Sequence, residues 1–350
     1  MVILVTASLD AQSIDLLREI GEVRYEPLMK TGRLLAGPEL VKKVNGVDVL
    51  VTEADPVRDE DMKAFSTLKV ICSCRGNPVN VDVGAASRHG LLVINAPARN
   101  AEAVAELTVA LMIMLGRRIP AALSLLRKSP DRKSSEGMRA YFELRGHELW
   151  GKSVGLIGFG AVACRVAERL RPFRMDMAAF DPYAPAERFE QFGVESLGLD
   201  ELMARSDFVS IHAAVTASSR GLIGAGQLAL MKPTAFFINT ARSAVTDQGA
   251  LVTTLQERRI AGAALDVFDQ EPLPVDHPLL TLDNVILLPH IGGNTFEIAT
   301  HQGRIIVPDL QRLARGERPL NIVNDDVWAS FDFRPGEQRA FASDGKGESA

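Results

Sequence analysis

The chain has 350 residues, enough for about two domains at roughly 150 residues each. Its apolar share of 47% and charged share of 24% are ordinary for globular proteins, which excludes wholesale disorder and fibrous repeats. The formal charge of −5 gives no electrostatic reason to expect a nucleic acid or an acidic membrane surface as partner, and no apolar stretch approaches the ~20 residues of a membrane-spanning helix.

The cysteine content bears on the cellular compartment. Cys72, Cys74 and Cys164 are too few for a disulfide framework in a chain of this length, which indicates a reducing environment. The N-terminus passes directly into the apolar run Val2–Val5 without a basic segment, so no signal peptide is predicted. We therefore expect a soluble cytoplasmic protein. We expect no metal site, because no ligand spacing surrounds the cysteines.

The first hundred residues alternate between two hydrophobic periods. Short β-branched and aliphatic runs predict buried parallel strands at Val2–Val5, Val47–Thr52, Leu68–Cys72 and Leu91–Ile94. Apolar residues at helical spacing predict helices at Ser13–Ile20, Pro38–Val44, Arg58–Phe65 and Val81–His89. This alternation implies right-handed crossovers and a parallel sheet covered on both faces.

A long apolar helix is predicted next, from about residue 101 to residue 128. Its face of Ala, Leu and Met side chains is too apolar to remain in water, so we expect it to pack between domains or subunits. Residues 129–146 are the least regular interior stretch, and we interpret them as a surface arm that contributes to an oligomer contact.

The alternation then restarts and predicts a second α/β domain. Its predicted strands are Ser153–Ile157, Met175–Phe180, Phe208–His212, Ala235–Asn239, Gly262–Leu265 and Val285–Leu288. Predicted helices include Ala161–Leu170, Ala186–Phe192 and a final helix at about Ile298–Gly316. The polar tail from residue 326 to residue 350 is predicted to be partly disordered, although Trp328, Phe331 and Phe333 could dock.

A glycine-rich turn joins the first strand and helix of this second run. Its residues are Gly158, Phe159, Gly160, Ala161, Val162 and Ala163. Gly158 allows the tight turn, and Gly160 lets the backbone approach a pyrophosphate. Ala163 is small enough for close packing of helix on strand, and the helix N-terminus presents N–H groups to the phosphates. This context predicts a dinucleotide site.

An acidic residue follows the next strand. Asp181 lies 23 residues after Gly158, where its carboxylate can accept hydrogen bonds from ribose hydroxyls and repel a 2′-phosphate. The position favours NAD over NADP. Arg188 leaves the strictness of that preference open, because its guanidinium could reach a 2′-phosphate.

Three later strand ends carry the residue types that hydride transfer to a 2-keto acid requires. Arg242 follows one strand and can bind a carboxylate with its planar fork. Glu271 lies beyond the next strand, and His290 ends the last one. If Glu271 contacts His290, it orients the ring and favours imidazolium, the acid that reduction requires. Ligands of open parallel sheets bind at these carboxyl ends.

These motifs, in this order, resemble the D-isomer-specific 2-hydroxyacid dehydrogenase family over roughly residues 68–324. The resemblance rests on the glycine-rich turn and on Asn80-Val81-Asp82, Asn95-Ala96-Pro97, Ala103-Val104-Ala105-Glu106, Asn239-Thr240-Ala241-Arg242, Ala264-Leu265-Asp266-Val267-Phe268, Glu271-Pro272 and Pro289-His290-Ile291-Gly292-Gly293.

The resemblance implies an α/β fold of two doubly wound parallel-sheet domains. A Rossmann NAD-binding domain, residues 100–297, would be inserted in a flavodoxin-like catalytic domain made of residues 1–99 and 298–325. It also implies a homodimer joined through the helix at 101–128 and an arm at 129–150.

The resemblance further assigns residue roles. Arg242 would anchor the substrate, His290 would act as acid and base, and Glu271 would pair with the histidine. The cofactor pocket would be lined by Thr240, Ala241, Asp266 and Gly292, in addition to the glycine-rich turn and Asp181. The substrate would be a small 2-keto or 2-hydroxy acid.

The chain departs from the family pattern at the substrate loop. Relatives usually carry a G-x-G loop whose N–H groups hold the substrate carboxylate, and this chain has Arg75, Gly76 and Asn77 there. The frequent glycine after Asn95-Ala96-Pro97 is replaced by Ala98. We predict that residues 75–77 contact substrate, and that a second acidic group, a phosphate or a sugar acid would each suit the added arginine. Formate dehydrogenation is disfavoured, because such relatives have Gln where this chain has Glu271.

Two other functions stay open from the sequence. The apolar helix and the tail aromatics would suit an NAD(H)-sensing interaction protein, as in the C-terminal-binding corepressors that share this fold. Oxidation of an inorganic acid such as phosphite would use the same residue types.

Overall fold

The chain forms two compact units in a computed structural model, which describes residues 1–128 and 134–335. Unit 1 consists of Met1–Arg99 and the described residues from Thr295 onward, and unit 2 is Asn100–Asn294. The second boundary therefore lies after residue 294, slightly before the predicted position after residue 297.

Unit 1 is built on a parallel sheet. Within the described residues its strands are β1 (Val2–Val5), β2 (Glu22–Tyr25), β3 (Val49–Thr52), β4 (Val70–Ser73) and β5 (Leu92–Asn95). They are arranged in the order β2-β1-β3-β4-β5. The helices in the first part of this unit are α1 (Ala11–Arg18), α2 (Leu28–Thr31), α3 (Gly37–Val44), α4 (Asp59–Met62) and α5 (Val83–Arg88).

The sequence pattern found the central strands of this sheet and missed β2. Every residue of β3 and β4 is buried, which explains their continuous apolar runs. In β2 the exposed residues Glu22 and Arg24 alternate with Val23 and Tyr25, because an edge strand keeps one face in water. Its short, charged sequence therefore resembles a loop.

Two C-terminal helices belong to unit 1. Helix α14 (Ile298–Ala314) packs against α1, and α15 (Asp325–Trp328) follows it. Trp328, Phe331 and Phe333 pack against the core of this unit. The expectation that these three aromatic residues dock is therefore confirmed, because their side chains bury apolar surface against unit 1. Residues 336–350 lie outside the described residues.

Unit 2 contains a larger parallel sheet. In the part of the chain that the structure describes, its strands are β6 (Ser153–Ile157), β7 (Asp176–Phe180), β8 (Glu195–Ser196), β9 (Phe208–Ile211), β10 (Phe236–Asn239), β11 (Gly262–Leu265) and β12 (Val285–Leu287). Their order is β12-β11-β10-β9-β6-β7-β8. The helices are α6 (Ala101–Gly116), α7 (Ile119–Lys128), α8 (Ser134–Glu143), α9 (Ala161–Leu170), α10 (Ala186–Phe192), α11 (Leu199–Arg205), α12 (Ala225–Leu230) and α13 (Gln248–Gln256). The two parallel-sheet α/β units confirm the predicted fold class.

The predicted long helix at 101–128 is broken. Helices α6 and α7 meet at a bend of 65°, where Arg118 has a φ of 53°. A left-handed residue cannot continue a right-handed helix. Helix α8 occupies part of the stretch predicted to be irregular, whereas residues 129–133 of the predicted arm lie outside the described residues.

The helices were also compared with the requirements of a membrane span. No single helix among the described residues is long and apolar enough, and only the bent pair Ala101–Gly116 and Ile119–Arg127 meets the length and composition limits jointly.

Candidate active site

The glycine-rich turn in unit 2 has the geometry of a pyrophosphate cradle. Gly158 has a φ of +86°, and a Cβ there would lie 2.6 Å from Ala213, so a side chain would be excluded by both strain and space. Around Gly160 no described atom lies within 4 Å of where a Cβ would project, which leaves room for a ligand. Ala161 and Val162 open α9, whose first N–H groups point out of the turn. These features fit a dinucleotide.

Asp181 is fixed beside this turn by backbone donors. Its Oδ2 accepts a hydrogen bond from the Phe159 N–H at 2.8 Å, and its Oδ1 accepts one from the Tyr183 N–H at 2.9 Å. The Phe159 side chain is buried in the core, so only its backbone faces the turn. Arg188 donates to the Phe159 carbonyl oxygen at 3.1 Å. The carboxylate is therefore held at the end of β7, where an acidic side chain binds the ribose hydroxyl groups in dinucleotide folds.

Arg242 lies in a turn that is clamped by a residue the sequence reasoning did not single out. Asn239, the last residue of β10, accepts a hydrogen bond from the Ala241 N–H at 3.0 Å and donates to the Arg242 carbonyl at 3.1 Å. The oxygen and the nitrogen of the buried Asn239 side-chain amide thus fix the backbone that carries the exposed Arg242 side chain. An asparagine at the last position of a strand, next to the turn with Arg242, was the available signal.

The Thr240 hydroxyl group forms a hydrogen bond with Thr108 of the neighbouring helix α6. The Thr108 hydroxyl donates to the Val104 carbonyl oxygen at 2.8 Å, so its single proton is used. In the 3.0 Å contact between Thr108 and Thr240, the donor is therefore Thr240. Thr240 thus links the end of β10 to α6, and its place in the cofactor pocket stays a prediction.

Glu271 and His290 form the contact that the sequence predicted. The His290 Nδ1 lies 2.7 Å from Glu271 Oε2, and Glu271 Oε1 accepts a hydrogen bond from the Phe268 N–H at 3.0 Å. An apolar cavity of 410 Å³ adjoins the pair, with Leu273 and Leu287 among its lining residues. The carboxylate is thus fixed on one side by backbone and presents its other oxygen to the imidazole.

The electrostatics of this pair involve Arg242. Partial burial acts to raise the pKa of Glu271, but the hydrogen bonds from His290 and Phe268 and the positive charges of His290 and Arg242 outweigh it. The pKa of Glu271 is therefore lower than its usual value. Arg242 therefore contributes to the electrostatics of the Glu271–His290 pair within unit 2, and a common site for the three residues stays a prediction.

Asp266 supports the histidine through the backbone. Its buried carboxylate accepts hydrogen bonds from the Ile291 N–H at 2.8 Å and the Gly292 N–H at 2.7 Å. Burial raises its pKa, although these two donors oppose the effect. A Cβ at Gly292 would lie 2.8 Å from Asp266 Oδ2, so this close approach requires glycine. His290 itself has a φ of 55°, an uncommon conformation that the two hydrogen bonds beyond it stabilise.

The predicted substrate loop lies in unit 1, after β4. The Arg75 Nε donates to the Glu53 carbonyl oxygen, and Asn95 Nδ2 donates to the Gly76 carbonyl oxygen at 2.6 Å. Gly76 and Asn77 are exposed. A substrate role for residues 75–77 stays a prediction. Among the described residues, no cluster of His, Cys, Asp or Glu could hold a metal ion.

Comparisons with known proteins agree with this geometry. A sequence model for "D-isomer specific 2-hydroxyacid dehydrogenase, NAD binding domain" matches residues 109–292. The chain is 41% identical over 326 residues to a D-3-phosphoglycerate dehydrogenase of Methanocaldococcus jannaschii, covering 92% of this chain and 59% of that protein. It is 37% identical over 292 residues to a glyoxylate reductase of Thermococcus litoralis, covering 83% of this chain and 88% of that protein.

A solved structure gives the same result at the level of the fold. The TT0316 protein from Thermus thermophilus superposes with a TM-score of 0.78 at 32% identity, covering 92% of this chain and 100% of that chain. The chain spans about three fifths of the length of the archaeal D-3-phosphoglycerate dehydrogenases it matches, 59% for the M. jannaschii protein and 61% for one from Archaeoglobus fulgidus.

Proposed function

This chain belongs to the D-isomer-specific 2-hydroxyacid dehydrogenase family, and on that basis we propose that it interconverts a 2-keto acid and a D-2-hydroxy acid with NAD. The observation that carries the proposal is the 2.7 Å contact between His290 and Glu271, in the unit that also holds the glycine-rich turn and Arg242. This set supplies an acid, its orienting carboxylate and a cation for one reaction.

The residues act as follows in the direction of reduction. The glycine-rich turn and Asp181 would hold the dinucleotide, whose nicotinamide would supply a hydride for substrate C2. Arg242 pairs with the substrate carboxylate through its guanidinium. Because His290 Nδ1 is engaged by Glu271, Nε2 is the nitrogen that gives its proton to the new alkoxide oxygen. Glu271 stabilises the imidazolium before that transfer, and oxidation runs through the same atoms in reverse.

Asp181 supports NAD as the cofactor. Its carboxylate is fixed by backbone donors beside the turn, where a 2′-phosphate would meet a negative charge. Arg188 is engaged by the Phe159 carbonyl oxygen, which favours the same choice. We also propose that the cofactor contacts the glycine-rich turn and four further residues, Thr240, Ala241, Asp266 and Gly292.

The names of the relatives suggest candidate substrates. Glyoxylate and the keto partner of 3-phosphoglycerate are the compounds that the names of the T. litoralis and M. jannaschii proteins indicate. Hydroxypyruvate is the unphosphorylated counterpart of the second. We propose that this chain acts on a small 2-keto acid of this range.

We also propose a homodimer. Large apolar side chains are exposed on α7 and α8, among them Leu126, Tyr141 and Phe142. Such a surface favours association with a second copy. Sedimentation should then give twice the mass of one chain. The cytoplasmic location stays a prediction from the cysteine content.

NADH oxidation tests the proposed reaction. Glyoxylate, hydroxypyruvate and sugar-derived 2-keto acids would be supplied to the wild type, to His290→Ala and to His147→Ala, a matched variant of an exposed histidine in the same unit. We expect turnover with at least one acid, its loss in His290→Ala and its retention in His147→Ala. Equal turnover in all three proteins would remove His290 from the mechanism. Tight NADH binding without turnover of any acid would favour a sensor instead.

A further inference from the structure

Unit 1 places two cations and a carboxylate at the carboxyl ends of adjacent strands. Glu53 follows β3, Arg75 follows β4, and Arg99 lies shortly after β5. The carboxyl ends of parallel strands meet at one edge of a sheet, where ligands of such folds bind. This cluster includes the loop predicted to contact the substrate.

Glu53 contacts both arginines. Its Oε1 forms an ion pair with Arg99 Nη1 at 2.7 Å, and the two side chains are only 28% and 15% exposed. Its backbone carbonyl oxygen accepts a hydrogen bond from Arg75 Nε at 2.5 Å. The charge of Arg99 is therefore neutralised locally, and the position of Arg75 depends on the backbone of the same glutamate.

The cluster as a whole carries no surplus positive charge. Asp55, two residues after Glu53, is also buried, and it accepts hydrogen bonds from Thr52 and from the Leu35 N–H at 2.8 Å each. The two carboxylates therefore equal the two guanidinium groups in formal charge, with Glu53 paired to Arg99 and Asp55 bound by Thr52 and Leu35. A phosphate monoester adds a charge of about −1.5 to −2, and proteins hold it with cations that are not already neutralised.

We propose that Glu53 determines specificity and selects an unphosphorylated, hydroxyl-bearing 2-keto acid, as a sugar acid would provide. The inference rests on the proposed function and narrows it. Because Glu53 is paired with Arg99, it withholds that cation from a phosphate, while the remaining lone pairs of its carboxylate accept hydrogen bonds from substrate hydroxyl groups. Of the three substrate classes left open by the sequence, this charge balance favours the sugar acid, even though relatives named D-3-phosphoglycerate dehydrogenase are 41% and 36% identical.

Steady-state kinetics with paired substrates test the proposal. Hydroxypyruvate and 3-phosphohydroxypyruvate differ only by the phosphate, and pyruvate lacks the hydroxyl. We expect the wild type to show a kcat/KM for hydroxypyruvate at least about tenfold above those for the other two acids. Glu53→Gln keeps the shape of the side chain and removes its charge, so it should raise the relative kcat/KM for the phosphorylated acid by about tenfold. Glu19→Gln, an exposed residue at the end of α1, removes the same charge far along the chain from this cluster and should leave the ratio unchanged.

The outcomes separate this inference from the proposed function. A wild type that prefers 3-phosphohydroxypyruvate, or a Glu53→Gln protein with an unchanged substrate ratio, overturns the role of Glu53 in an enzyme that is still active. A wild type inactive on every 2-keto acid contradicts the proposed function itself. The wild-type ratio decides the substrate class even if Glu53→Gln fails to fold.

Discussion

The two units both carry charged side chains at the carboxyl ends of their strands, but Asp266 and Glu271 in unit 2 and Glu53 in unit 1 are fixed by different means. In unit 2, Asp266 and Glu271 accept hydrogen bonds from backbone N–H groups. In unit 1, the Glu53 carboxylate is held by the side chain of Arg99. A backbone donor in a packed turn cannot rotate away, whereas a side-chain partner can. This difference fits the proposal that unit 2 carries the chemistry, where small displacements are costly, and that Glu53 in unit 1 affects substrate choice.

A second contrast concerns backbone conformation. His290 in unit 2 has a φ of 55°, and Ala98 in unit 1 has a φ of 57°. The left-handed histidine is followed by two N–H groups that Asp266 holds. Ala98 is exposed and lies in the left-handed region that favours glycine. The conformation of His290 is stabilised beside the proposed acid and base, whereas that of Ala98 is a local strain that a substitution can relieve.

The largest expected effect is on the chemistry of unit 2. Glu271→Gln should lower kcat by about 100-fold or more, because an amide does not stabilise the imidazolium form of His290. The pKa of Glu271 is lowered from 4.5, so its carboxylate is still largely ionised at pH 4.5. The ion pair with His290 should therefore be lost only when the pH falls further. Stopped-flow measurement of NADH oxidation gives kcat, and Glu190→Gln on an exposed face of α10 is the control. An unchanged kcat in Glu271→Gln would contradict the pairing.

Asp266→Asn tests whether backbone contacts organise the site. An amide offers one acceptor oxygen and turns its NH₂ toward the second backbone N–H, so we expect a loss of about 1.5–3 kcal/mol in unfolding free energy and a lower kcat. Asp247→Asn is the matched control, because Asp247 accepts one N–H, from Ala250, which an amide oxygen can still accept. Urea unfolding and kcat measure both effects. Equal losses in the two variants would show that Asp266 has no special role.

The units should also differ in acid sensitivity. Burial lowers the pKa of His212 in unit 2 from 6.5 to about 3, and neither ring nitrogen has a hydrogen-bond partner among the described residues. Between these two pH values the unfolded chain binds a proton that the folded chain does not. Stability should therefore fall with pH below 6.5, by up to about 2 kcal/mol at pH 5.

In unit 1, hydrogen bonds with Lys63 and His89 lower the pKa of Asp59 to about 2, so its contribution is lost only below its unfolded value of 3.8. Urea unfolding of the wild type and His212→Gln at pH 7 and pH 5 checks the contrast. The variant should lose less stability than the wild type over this range. The same loss in both proteins would contradict the role of His212.

The smallest expected effect is in unit 1. Ala98→Gly should stabilise the protein by up to about 1 kcal/mol, because glycine adopts positive φ without the steric cost that alanine has. Ala64→Gly, at an exposed position without positive φ, should destabilise by a similar amount through the entropy of the unfolded chain. Thermal unfolding measures both. Destabilisation by Ala98→Gly would show that this loop is not strained.

Much of the fold was predictable because local sequence carries it. The strand Ser153–Ile157 and the helix Ala161–Leu170 have the bounds that the hydrophobic period predicted. The errors lie where residues far away in the sequence determine whether a segment forms a strand or a continuous helix. The edge position of β2, which the sheet order sets, permits its charged sequence. The break between α6 and α7 depends on a backbone conformation at Arg118 that the apolar pattern does not encode.

The sequence by itself determined the residue types, the spacing of the glycine-rich turn, the position of Asp181 and the candidates Arg242, Glu271 and His290. Only the tertiary structure decided which groups share hydrogen bonds: Asp266 with the amides of Ile291 and Gly292, Asn239 with the turn at Arg242, and Glu53 with Arg99. The last two side chains are 46 residues apart in the chain. Hydrophobic period and turn chemistry act over a few neighbouring residues, whereas such contacts depend on the order of strands in a sheet.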